Sequence, residues 1–401
     1  MNNFMNLTVK PLHKTTTNPI QKNTHISIFL PNLDGGGAEL VMLRLAQGLA
    51  NLGLKVDLVL AKTEGAYLTK VSANVRIIDL KSKSPVILFK TFALRRYLQQ
   101  QKPDILLSAL DIVSAGTLAK LLAGVSTRII MCVHTNLSQQ FRDKPDVFVG
   151  KVRTTLVRWF YPWADAIISV SQGVAQDIAH VAGLPLDNIQ VIYNPVVTPE
   201  VLRQAQQPIN HPWFAAGEPP VILGVGRLVR QKDFATLVQA FALVRQRCEA
   251  RLMILGDVDK REPTIKPQLV NLVQQLGLEG EVAFPGFVEN PYAYMAQAGV
   301  FVLSSIYEGF GNVVAEAIAT GTSVVATNCE SGPAEILENG KYGKLVPVGD
   351  AAALADAIVT TLRNPTNSEE LRQRSQAFSM DSVVAQYFEV INRLIEQVAS
   401  N

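Results

Sequence analysis

Val300-Phe-Val-Leu303, with Glu308-Gly-Phe-Gly-Asn-Val-Val-Ala-Glu316 shortly after it, is the stretch that decides the fold of this 401-residue chain. The first run has the length and composition of a buried strand, and residues Asn312 to Ala319 have a helical pattern with Asn312 as N-cap. Between them, Gly309 and Gly311 let the backbone turn and come close to a ligand. Strand, glycine turn and helix N-terminus predict an anion site, because the free N–H groups and the helix dipole attract negative charge.

Glu316 lies one turn into this predicted helix, where its carboxylate can accept hydrogen bonds from sugar hydroxyls. Turns of this kind are also common in α/β proteins that bind nothing there, and a helical glutamate often only faces solvent. Residues 308–316 alone therefore do not distinguish a ligand site from an ordinary loop, and motifs elsewhere in the chain are needed.

The composition, 48% hydrophobic and 18% charged, is typical of a soluble globular protein, and the length predicts two domains. The longest apolar region, 105–133, contains Asp111, Lys120 and Arg128, so it offers no uninterrupted membrane span of about 20 residues. Residues 1–24 are polar and lack the apolar core of a secretory signal, which predicts a disordered tail and a cytoplasmic protein. The three cysteines, at 132, 248 and 329, fit neither a disulfide framework nor a zinc site.

Charge is unevenly distributed along the chain. Residues 1–205 carry 22 Lys and Arg against 13 Asp and Glu, whereas the remainder carries 15 against 21. A basic half suits nucleic acid, an acidic substrate or an anionic membrane surface. Two basic stretches, Lys81–Lys102 and Arg142–Trp163, include large apolar side chains. The first is either an amphipathic helix lying on a membrane or an ordinary helix covering a sheet.

Apolar runs of strand length alternate with helical patterns along the whole chain. This alternation predicts mainly parallel sheets covered by helices, in which ligands bind beyond the carboxyl ends of the strands. The predicted strands are Ile26–Leu30, Val56–Ala61, Val75–Ile78, Ile105–Ser108, Arg128–Val133, Ala166–Val170, Ile189–Ile192, Val221–Val225, Arg251–Leu255, Val282–Phe284, Val300–Leu303, Ser323–Ala326 and Lys344–Val346.

A proline-rich stretch from Pro195 to Pro220 interrupts this rhythm and indicates a linker. We therefore predict two doubly wound domains. The first covers residues 25–195 and follows the 1–24 tail, the linker covers 196–220, and the second domain covers 221–378. The last segment, 379–401, is predicted to be a helix that returns to the first domain.

In each predicted domain, a glycine-containing loop follows the first strand. Gly35-Gly-Gly-Ala-Glu39 is placed to cradle an anion, but its spacing is not the G-x-G-x-x-G of a dinucleotide fold, which argues against a dehydrogenase. Gly226-Arg-Leu-Val-Arg-Gln-Lys-Asp233 carries three cations that suit a diphosphate, with a solvated basic turn as the alternative. Asp233 is predicted to cap the next helix.

Other polar residues also follow predicted strands. His134 comes directly after one, a position that favours substrate contact over a structural role. Asp257-Val-Asp259 has the look of a paired-aspartate metal site, but two carboxylates without further ligands are weak evidence, and we predict a polar turn. Glu335 either lies near the cleft or stabilises a helix dipole.

Together, Gly35–Glu39, Gly226-Arg227 with Lys232, and Glu308 and Glu316 with seven residues between them resemble glycosyltransferase family 4, the retaining transferases of the GT-B fold. The resemblance runs from about residue 25 to the C-terminal helix. It implies an α/β protein whose two Rossmann-like domains face each other across a cleft, the first binding acceptor and the second donor. Further supporting stretches are Val191–Pro195, Gly286-Phe287, Asn290-Pro291 and Pro333–Leu337.

The resemblance also implies roles for individual residues. Arg227 and Lys232 bind the donor diphosphate, Glu308 holds hydroxyls of the transferred sugar, and Glu316 binds the ribose. His134 approaches the donor sugar, while backbone amides of residues 310–313 touch sugar or phosphate. The implied catalytic residues are Glu308, Arg227, Lys232 and His134, and the implied donor-binding residues are Gly36, Gly37, Gly226, Phe310, Gly311, Asn312, Val313 and Glu316.

Family members work without a bound metal, so we expect no metal and no cofactor besides a nucleotide-sugar substrate. The segment Ser331–Leu337 resembles bacterial members that use UDP-sugars for surface glycans. The expected activity is retaining transfer of a hexose or N-acetylhexosamine from a UDP-sugar to a lipid-linked glycan acceptor, peripheral to the inner membrane face. The alternatives are a non-hydrolysing UDP-sugar 2-epimerase and a basic nucleic-acid-binding protein; since the chain has no nucleic-acid motif, we expect no nucleic acid partner.

Overall fold

A computed structural model of the chain describes residues 24–82, 87–110, 113–142 and 147–399. The predicted tail lies outside these residues apart from Thr24, and so do parts of the two basic stretches. Within the described part, no helix is both long enough and apolar enough to cross a membrane.

The first half of the chain forms a seven-stranded parallel sheet in the order β3-β2-β1-β4-β5-β6-β7. The inner strands are buried almost throughout, which explains why they appear in the sequence as apolar runs, whereas the edge strand β3 is mostly exposed. The strands are β1 His25–Leu30, β2 Lys55–Leu60, β3 Val75–Asp79, β4 Ile105–Ala109, β5 Arg128–Val133, β6 Ala166–Ser169 and β7 Ile189–Val191. The helices are α1 Gly37–Asn51, α2 Ile87–Gln101, α3 Val113–Ala123, α4 Leu137–Arg142, α5 Val147–Phe160, α6 Gln172–Ala182 and α7 Pro199–Ala205.

The second half forms a six-stranded parallel sheet in the order β10-β9-β8-β11-β12-β13. The predicted two-domain α/β architecture is therefore confirmed, and the strand bounds differ from the prediction by at most two residues. The strands are β8 Val221–Val225, β9 Arg251–Leu255, β10 Val282–Gly286, β11 Val300–Leu303, β12 Val324–Thr327 and β13 Lys344–Val346. The helices are α8 Phe234–Arg245, α9 Ile265–Gln275, α10 Pro291–Gln297, α11 Asn312–Thr320, α12 Pro333–Ile336, α13 Ala351–Arg363, α14 Ser368–Ser375 and α15 Met380–Ala399.

Both sheets have a switch point, where neighbouring strands lead into connections that run in opposite directions. It lies between β1 and β4 in the first sheet and between β8 and β11 in the second. Crevices at such points are where open α/β sheets bind ligands. The loops that follow β1, β8 and β11 are therefore the ones to search for a site.

The long helix α15 packs on α1 of the first domain. Gly48 makes this approach possible, because a Cβ atom there would lie 2.4 Å from the Val384 side chain. Tyr387, also on α15, is buried in the same core. The segment predicted as a linker contains α7 and a short 3₁₀ turn at Pro212–Phe214, and α7 packs on α10.

A polar network surrounds the buried Asp57 of the first sheet. Asp57 accepts hydrogen bonds from Arg76 Nε at 2.8 Å and Tyr97 Oη at 2.6 Å, and His25 Nε2 lies 2.9 Å from it. Burial opposes ionisation of this carboxyl, but its hydrogen-bond partners outweigh burial and hold the pKa of Asp57 well below its usual range. The network ties β1, β2, β3 and α2 together.

Candidate active site

The helix that follows β11 begins at Asn312 with Gly311 as its N-cap. Gly311 has φ 88°, a left-handed conformation that favours glycine. Asn312 was predicted as the cap, and this detail is wrong. Its side-chain oxygen instead accepts a hydrogen bond from Asn194 Nδ2 of the first domain at 2.8 Å. Within the described residues, no side chain caps α11, so its N-terminus is available to an anion.

The N-terminus of α1 faces the N-terminus of α11 across the cleft. A Cβ atom at Gly37 would lie 3.2 Å from the Asn312 side-chain nitrogen, so the two helix ends nearly touch. The Glu39 carboxylate folds back against Gly36, and burial raises the pKa of Glu39. Two positive helix ends from opposite domains thus converge, and an acidic side chain lies against one of them.

Glu308 and Lys232 form a buried ion pair beside these helix ends. Lys232 Nζ lies 2.5 Å from Glu308 Oε1, which also accepts a hydrogen bond from Ser305 Oγ at 2.7 Å. Gly226 leaves room for the stem of Lys232, because a Cβ atom there would lie 3.2 Å from Lys232 Cε. Both of these hydrogen bonds therefore go to the same carboxylate oxygen of Glu308.

Arg227 takes a different partner from Lys232. Its Nη1 donates to Asp259 Oδ2 at 2.8 Å, and its side chain is 54% exposed. Asp259 also accepts two hydrogen bonds from the Arg261 guanidinium, and chiefly for this reason the pKa of Asp259 lies well below its usual range. The Asp257 carboxylate accepts from the next backbone N–H, as in a polar turn. In the part of the chain that the structure describes, no three His, Cys, Asp or Glu residues group as a metal site.

The loop after β8 also contains a third cation, Arg230, and the predicted helix cap, Asp233. Arg230 is exposed, and its backbone N–H donates to Glu262 Oε2 at 2.9 Å. Asp233 is the N-cap of α8, as predicted, and its carboxylate accepts from Thr236 Oγ1 at 2.6 Å. The loop that carries Arg227 and Lys232 is therefore held in place by two carboxylates, Glu262 at Arg230 and Asp233 at the start of α8.

Glu316 is buried and faces the first domain. Arg44 Nη1 of α1 lies 3.8 Å from its carboxylate, and Tyr292 Oη donates to it at 3.3 Å. Burial raises the pKa of Glu316. Neither Arg44 nor Tyr292 is among the site residues predicted from the sequence. The sequence does contain a signal for Arg44: it is the single arginine in the apolar helix α1, and a buried cation needs a partner.

His134 lies at the carboxyl end of β5, and its Nε2 is 3.3 Å from Met42 Sδ. Burial lowers the pKa of His134 to about 4, so the imidazole is neutral at pH 7. Its backbone oxygen presses on Gly309 of the facing domain, where a Cβ atom would lie only 2.0 Å away. Gly309 is therefore required for the close approach of the two domains as well as for the turn.

Phe310 is a core residue. Its ring stacks on Tyr193 with centroids 5.5 Å apart and meets Phe378 edge-on, also at 5.5 Å. The Phe310 side chain is therefore part of the core and is not exposed to the cleft. Val313 is half-buried in the first turn of α11.

Further hydrogen bonds join the two domains beside the cleft. Glu335 accepts from the backbone N–H groups of Gln172 at 2.8 Å and Gly173 at 3.1 Å, so it stabilises the N-terminus of α6 in the opposite domain. Ser171 Oγ donates to the Gly309 carbonyl at 2.7 Å. For Glu335 the sequence allows two alternatives, a position near the cleft or a role in stabilising a helix dipole. The structure places it against the dipole of a helix far away in sequence.

Comparisons with known proteins agree with this architecture. Residues 35–199 match the family model Glycosyltransferase Family 4, and residues 219–364 match Glycosyl transferases group 1. The N-acetylgalactosamine-N,N'-diacetylbacillosaminyl-diphospho-undecaprenol 4-alpha-N-acetylgalactosaminyltransferase of Campylobacter jejuni is 28% identical over 84% of this chain and 90% of its own length. A lipopolysaccharide core biosynthesis glycosyltransferase of Rhizobium meliloti is 30% identical over 57% of this chain and 64% of its own length.

Solved structures show the same fold. Anabaena HepE in complex with UDP and glucose matches with a TM-score of 0.75 and 22% identity, over 92% of this chain and 99% of that one. A sucrose-phosphate synthase from Thermosynechococcus elongatus also matches with a TM-score of 0.75 and 22% identity, over 94% of this chain and 100% of that one.

Proposed function

Since this chain belongs to glycosyltransferase family 4 and has the GT-B fold, we propose that it moves a hexose or N-acetylhexosamine from a UDP-sugar to a lipid-linked glycan acceptor. We further propose that the reaction retains the anomeric configuration and needs no bound metal ion. The observation that carries the proposal is the convergence of the α1 and α11 N-termini beside the Lys232–Glu308 pair.

This convergence suits a diphosphate that departs during the reaction. As the bond from the anomeric carbon to UDP breaks, negative charge grows on the diphosphate oxygens. The two helix N-termini, Lys232 and Arg227 stabilise that charge in place of a metal ion. Arg227, whose own side chain is half-exposed, reaches the diphosphate by leaving its ion pair with Asp259, which keeps its two hydrogen bonds from the Arg261 guanidinium.

Glu308 and Glu316 position the donor. Glu308 accepts a hydroxyl of the transferred sugar through the oxygen that Lys232 does not use. Glu316 accepts the ribose hydroxyls, and the nearby Arg44 guanidinium opposes the rise in the pKa of Glu316 that burial causes. Neither carboxylate is needed as a general base, because a departing phosphate oxygen takes the acceptor proton when the acceptor attacks on the face that UDP leaves. Neutral His134 lies on the opposite wall and contacts the sugar.

The names of related proteins support the choice of substrates. The relative from Campylobacter jejuni is named for transfer of N-acetylgalactosamine to a sugar carried on diphospho-undecaprenol. The Anabaena structure contains UDP and glucose. These support a UDP-sugar donor and a lipid-linked acceptor for the present chain.

The proposal is tested with purified protein and a panel of nucleotide sugars. We expect UDP-sugars to raise the melting temperature, because a ligand that binds only the native state stabilises it. Transfer should continue in EDTA, and NMR of the product should show the donor's anomeric configuration. Stabilisation by GDP- or ADP-sugars alone would contradict the choice of donor. Loss of transfer in EDTA, restored by Mg²⁺ or Mn²⁺, would contradict metal independence.

A variant tests the role of Lys232. Lys232→Met should lower the transfer rate by about 10²-fold, as for removal of other charge-stabilising groups. Lys260→Met is the matched control, because Lys260 is exposed on the neighbouring turn. A Lys232→Met rate within twofold of the control would refute the assignment.

We also propose that the first domain docks on an anionic lipid surface. Helices α2 and α5 both pack on α3, and each of the three helices exposes large apolar side chains. Phe89 and Phe92 on α2 are 61% and 48% exposed, and Trp159 on α5 is 69% exposed. Residues 81–102 carry six cations and no acid, which gives the surface charge complementarity to anionic headgroups.

Sedimentation with vesicles tests the docking surface. The protein should bind vesicles containing phosphatidylglycerol more strongly than neutral phosphatidylcholine vesicles, and salt should weaken the binding. Trp159→Ala should reduce binding. Phe287→Ala, which removes an exposed aromatic of the second domain, should not. Equal partition onto neutral and anionic vesicles would overturn the electrostatic part of the proposal.

A further inference from the structure

Arg44 of α1 lies largely buried between the two domains, with 12% of its side chain exposed. Its Nη1 donates to the Val196 carbonyl at 3.0 Å and lies 3.8 Å from Glu316 Oε1, and its Nη2 donates to Tyr292 Oη at 3.2 Å. Each of these three oxygens belongs to the linker or to the second domain. Burying a cation is costly unless it is paired, so the contacts of Arg44 make its burial depend on the opposite domain.

The Tyr292 hydroxyl relays the contact from Arg44 to Glu316. A guanidinium can only donate hydrogen bonds, so the Tyr292 oxygen is the acceptor for Arg44, and its single hydrogen remains for a carboxylate. That hydrogen bond goes to Glu316 Oε1 at 3.3 Å, the same oxygen that faces Arg44. Burial raises the pKa of Glu316, and the Arg44 charge and the Tyr292 hydrogen bond both oppose this rise. Arg44 therefore favours the ionised carboxylate directly through its charge and indirectly through Tyr292.

The Val196 carbonyl holds Arg44 at the place where the chain crosses between the domains. Val197 donates its N–H to the Phe378 carbonyl at 3.0 Å, and the Val197 carbonyl accepts from the N–H of Met380 at 2.9 Å. The outgoing and the returning crossing are thus paired with each other. Rotation of two domains about their crossings moves nearby atoms least, so Arg44 can hold its partners while the far end of the cleft opens.

We propose that Arg44 is a positioning residue for the ribose of the donor: it holds the Glu316 carboxylate, directly and through Tyr292, in the orientation that accepts the ribose hydroxyls. The inference rests on the proposed function, in which Glu316 contacts the ribose. It adds that the ribose subsite is built from both domains, because the carboxylate comes from α11 and the group that orients it comes from α1. Since Arg44 acts through Glu316, its removal should weaken recognition of the ribose and spare recognition of the diphosphate.

Calorimetric titration with UDP and with 2′,3′-dideoxy-UDP, which lacks both ribose hydroxyls, measures this recognition directly. The ratio of the two dissociation constants reports on the ribose alone, because the base and the diphosphate are common to both ligands. In the wild type, UDP should bind about tenfold more tightly, as expected for hydrogen bonds to a charged group. In Arg44→Met the ratio should fall below about threefold, because UDP binds more weakly while 2′,3′-dideoxy-UDP stays within about twofold of the wild type.

A merely structural role of Arg44 would weaken both ligands equally, and a wild-type ratio in folded Arg44→Met would overturn the inference. Arg44→Lys keeps the charge and should restore part of the ratio. Tyr292→Phe removes only the relaying hydroxyl and should lower the ratio about two- to threefold. This second variant decides the matter if Arg44→Met does not fold, and an unchanged ratio in it would refute the relay and the inference with it.

The matched control is Arg393→Met. It removes one cation from an exposed position on α15, the helix that packs on α1, and it should keep the wild-type ratio. A ratio lowered equally in Arg393→Met would assign the effect to net charge and contradict the positioning role.

Sugar transfer separates this inference from the proposed function. The same titrations with ADP and GDP, each compared with its 2′,3′-dideoxy form, cover donors with another base. If no sugar is transferred from any UDP-sugar, but one of the three nucleotides binds with a ratio that Arg44→Met lowers, the proposed function fails and the ribose subsite stands. If UDP-sugars are donors but the wild-type ratio is close to one, the proposed function stands and the inference fails.

Discussion

Glu335→Gln should loosen the contact between the two domains. In the wild type, the Glu335 carboxylate accepts two backbone N–H groups at the N-terminus of α6, at 2.8 and 3.1 Å. The amide keeps the shape of the side chain but removes its charge, and its NH₂ group cannot accept from an N–H. The change costs about 1 kcal/mol for the lost hydrogen bond and about 1 kcal/mol for the lost charge–dipole attraction.

A loss of about 2 kcal/mol shifts the equilibrium between closed and open domains by roughly 30-fold toward the open form. The KM for the UDP-sugar should then rise by up to about 30-fold, and the rise is smaller the more strongly the closed form dominates in the wild type. Small-angle X-ray scattering should show a larger radius of gyration for Glu335→Gln without donor. The melting of each domain should change little, because Glu335 is only half-buried.

The matched control is Glu369→Gln, which removes an exposed carboxylate from the same domain, 3.9 Å from Arg372. It should leave both the radius of gyration and the donor KM at wild-type values. If Glu335→Gln also matched the wild type in both measurements, the contact with α6 would contribute nothing to closure, and the reasoning would be refuted.

Three further changes are predicted. Gly309→Ala places a Cβ atom 2.0 Å from the His134 carbonyl oxygen, so the two domains can no longer approach as closely. The transfer rate should fall at least tenfold, and the radius of gyration should increase. An unchanged radius of gyration would contradict the proposed steric clash. Glu39→Gln removes a carboxylate that competes with the donor diphosphate at the α1 N-terminus, so calorimetry should show donor binding that is about two- to fivefold tighter, and equal or weaker binding would argue against competition. Asp57→Asn should flatten the acid dependence of stability. Because the folded-state pKa of Asp57 is depressed, its contribution is present above the unfolded pKa of about 3.9 and is lost as pH falls below it; an identical drop in melting temperature between pH 5 and pH 3 in both proteins would contradict this.

Much of the fold could be predicted from local sequence. The thirteen strands within the described residues were all predicted as elements, since the inner strands of a parallel sheet are covered on both faces and appear as apolar runs. The cap at Asp233 was also predicted, because capping is a local interaction: the side chain accepts hydrogen bonds from Thr236, three residues along the chain. The position of Asn312 was misassigned because the same side chain suits a cap and a long-range amide partner equally well.

The sequence by itself thus determined two α/β domains and placed the charged and glycine-rich loops at the carboxyl ends of their strands. Only the tertiary structure decided which of these groups face one another. Asn194 meets Asn312 across 118 residues of chain, and Glu335 meets Gln172 across 163. The partner of Glu316, Arg44, comes from the other domain. The physical reason is that periodicity and caps depend on neighbours a few residues away, whereas these pairs exist because domain packing buries charges and helix ends that must then find partners.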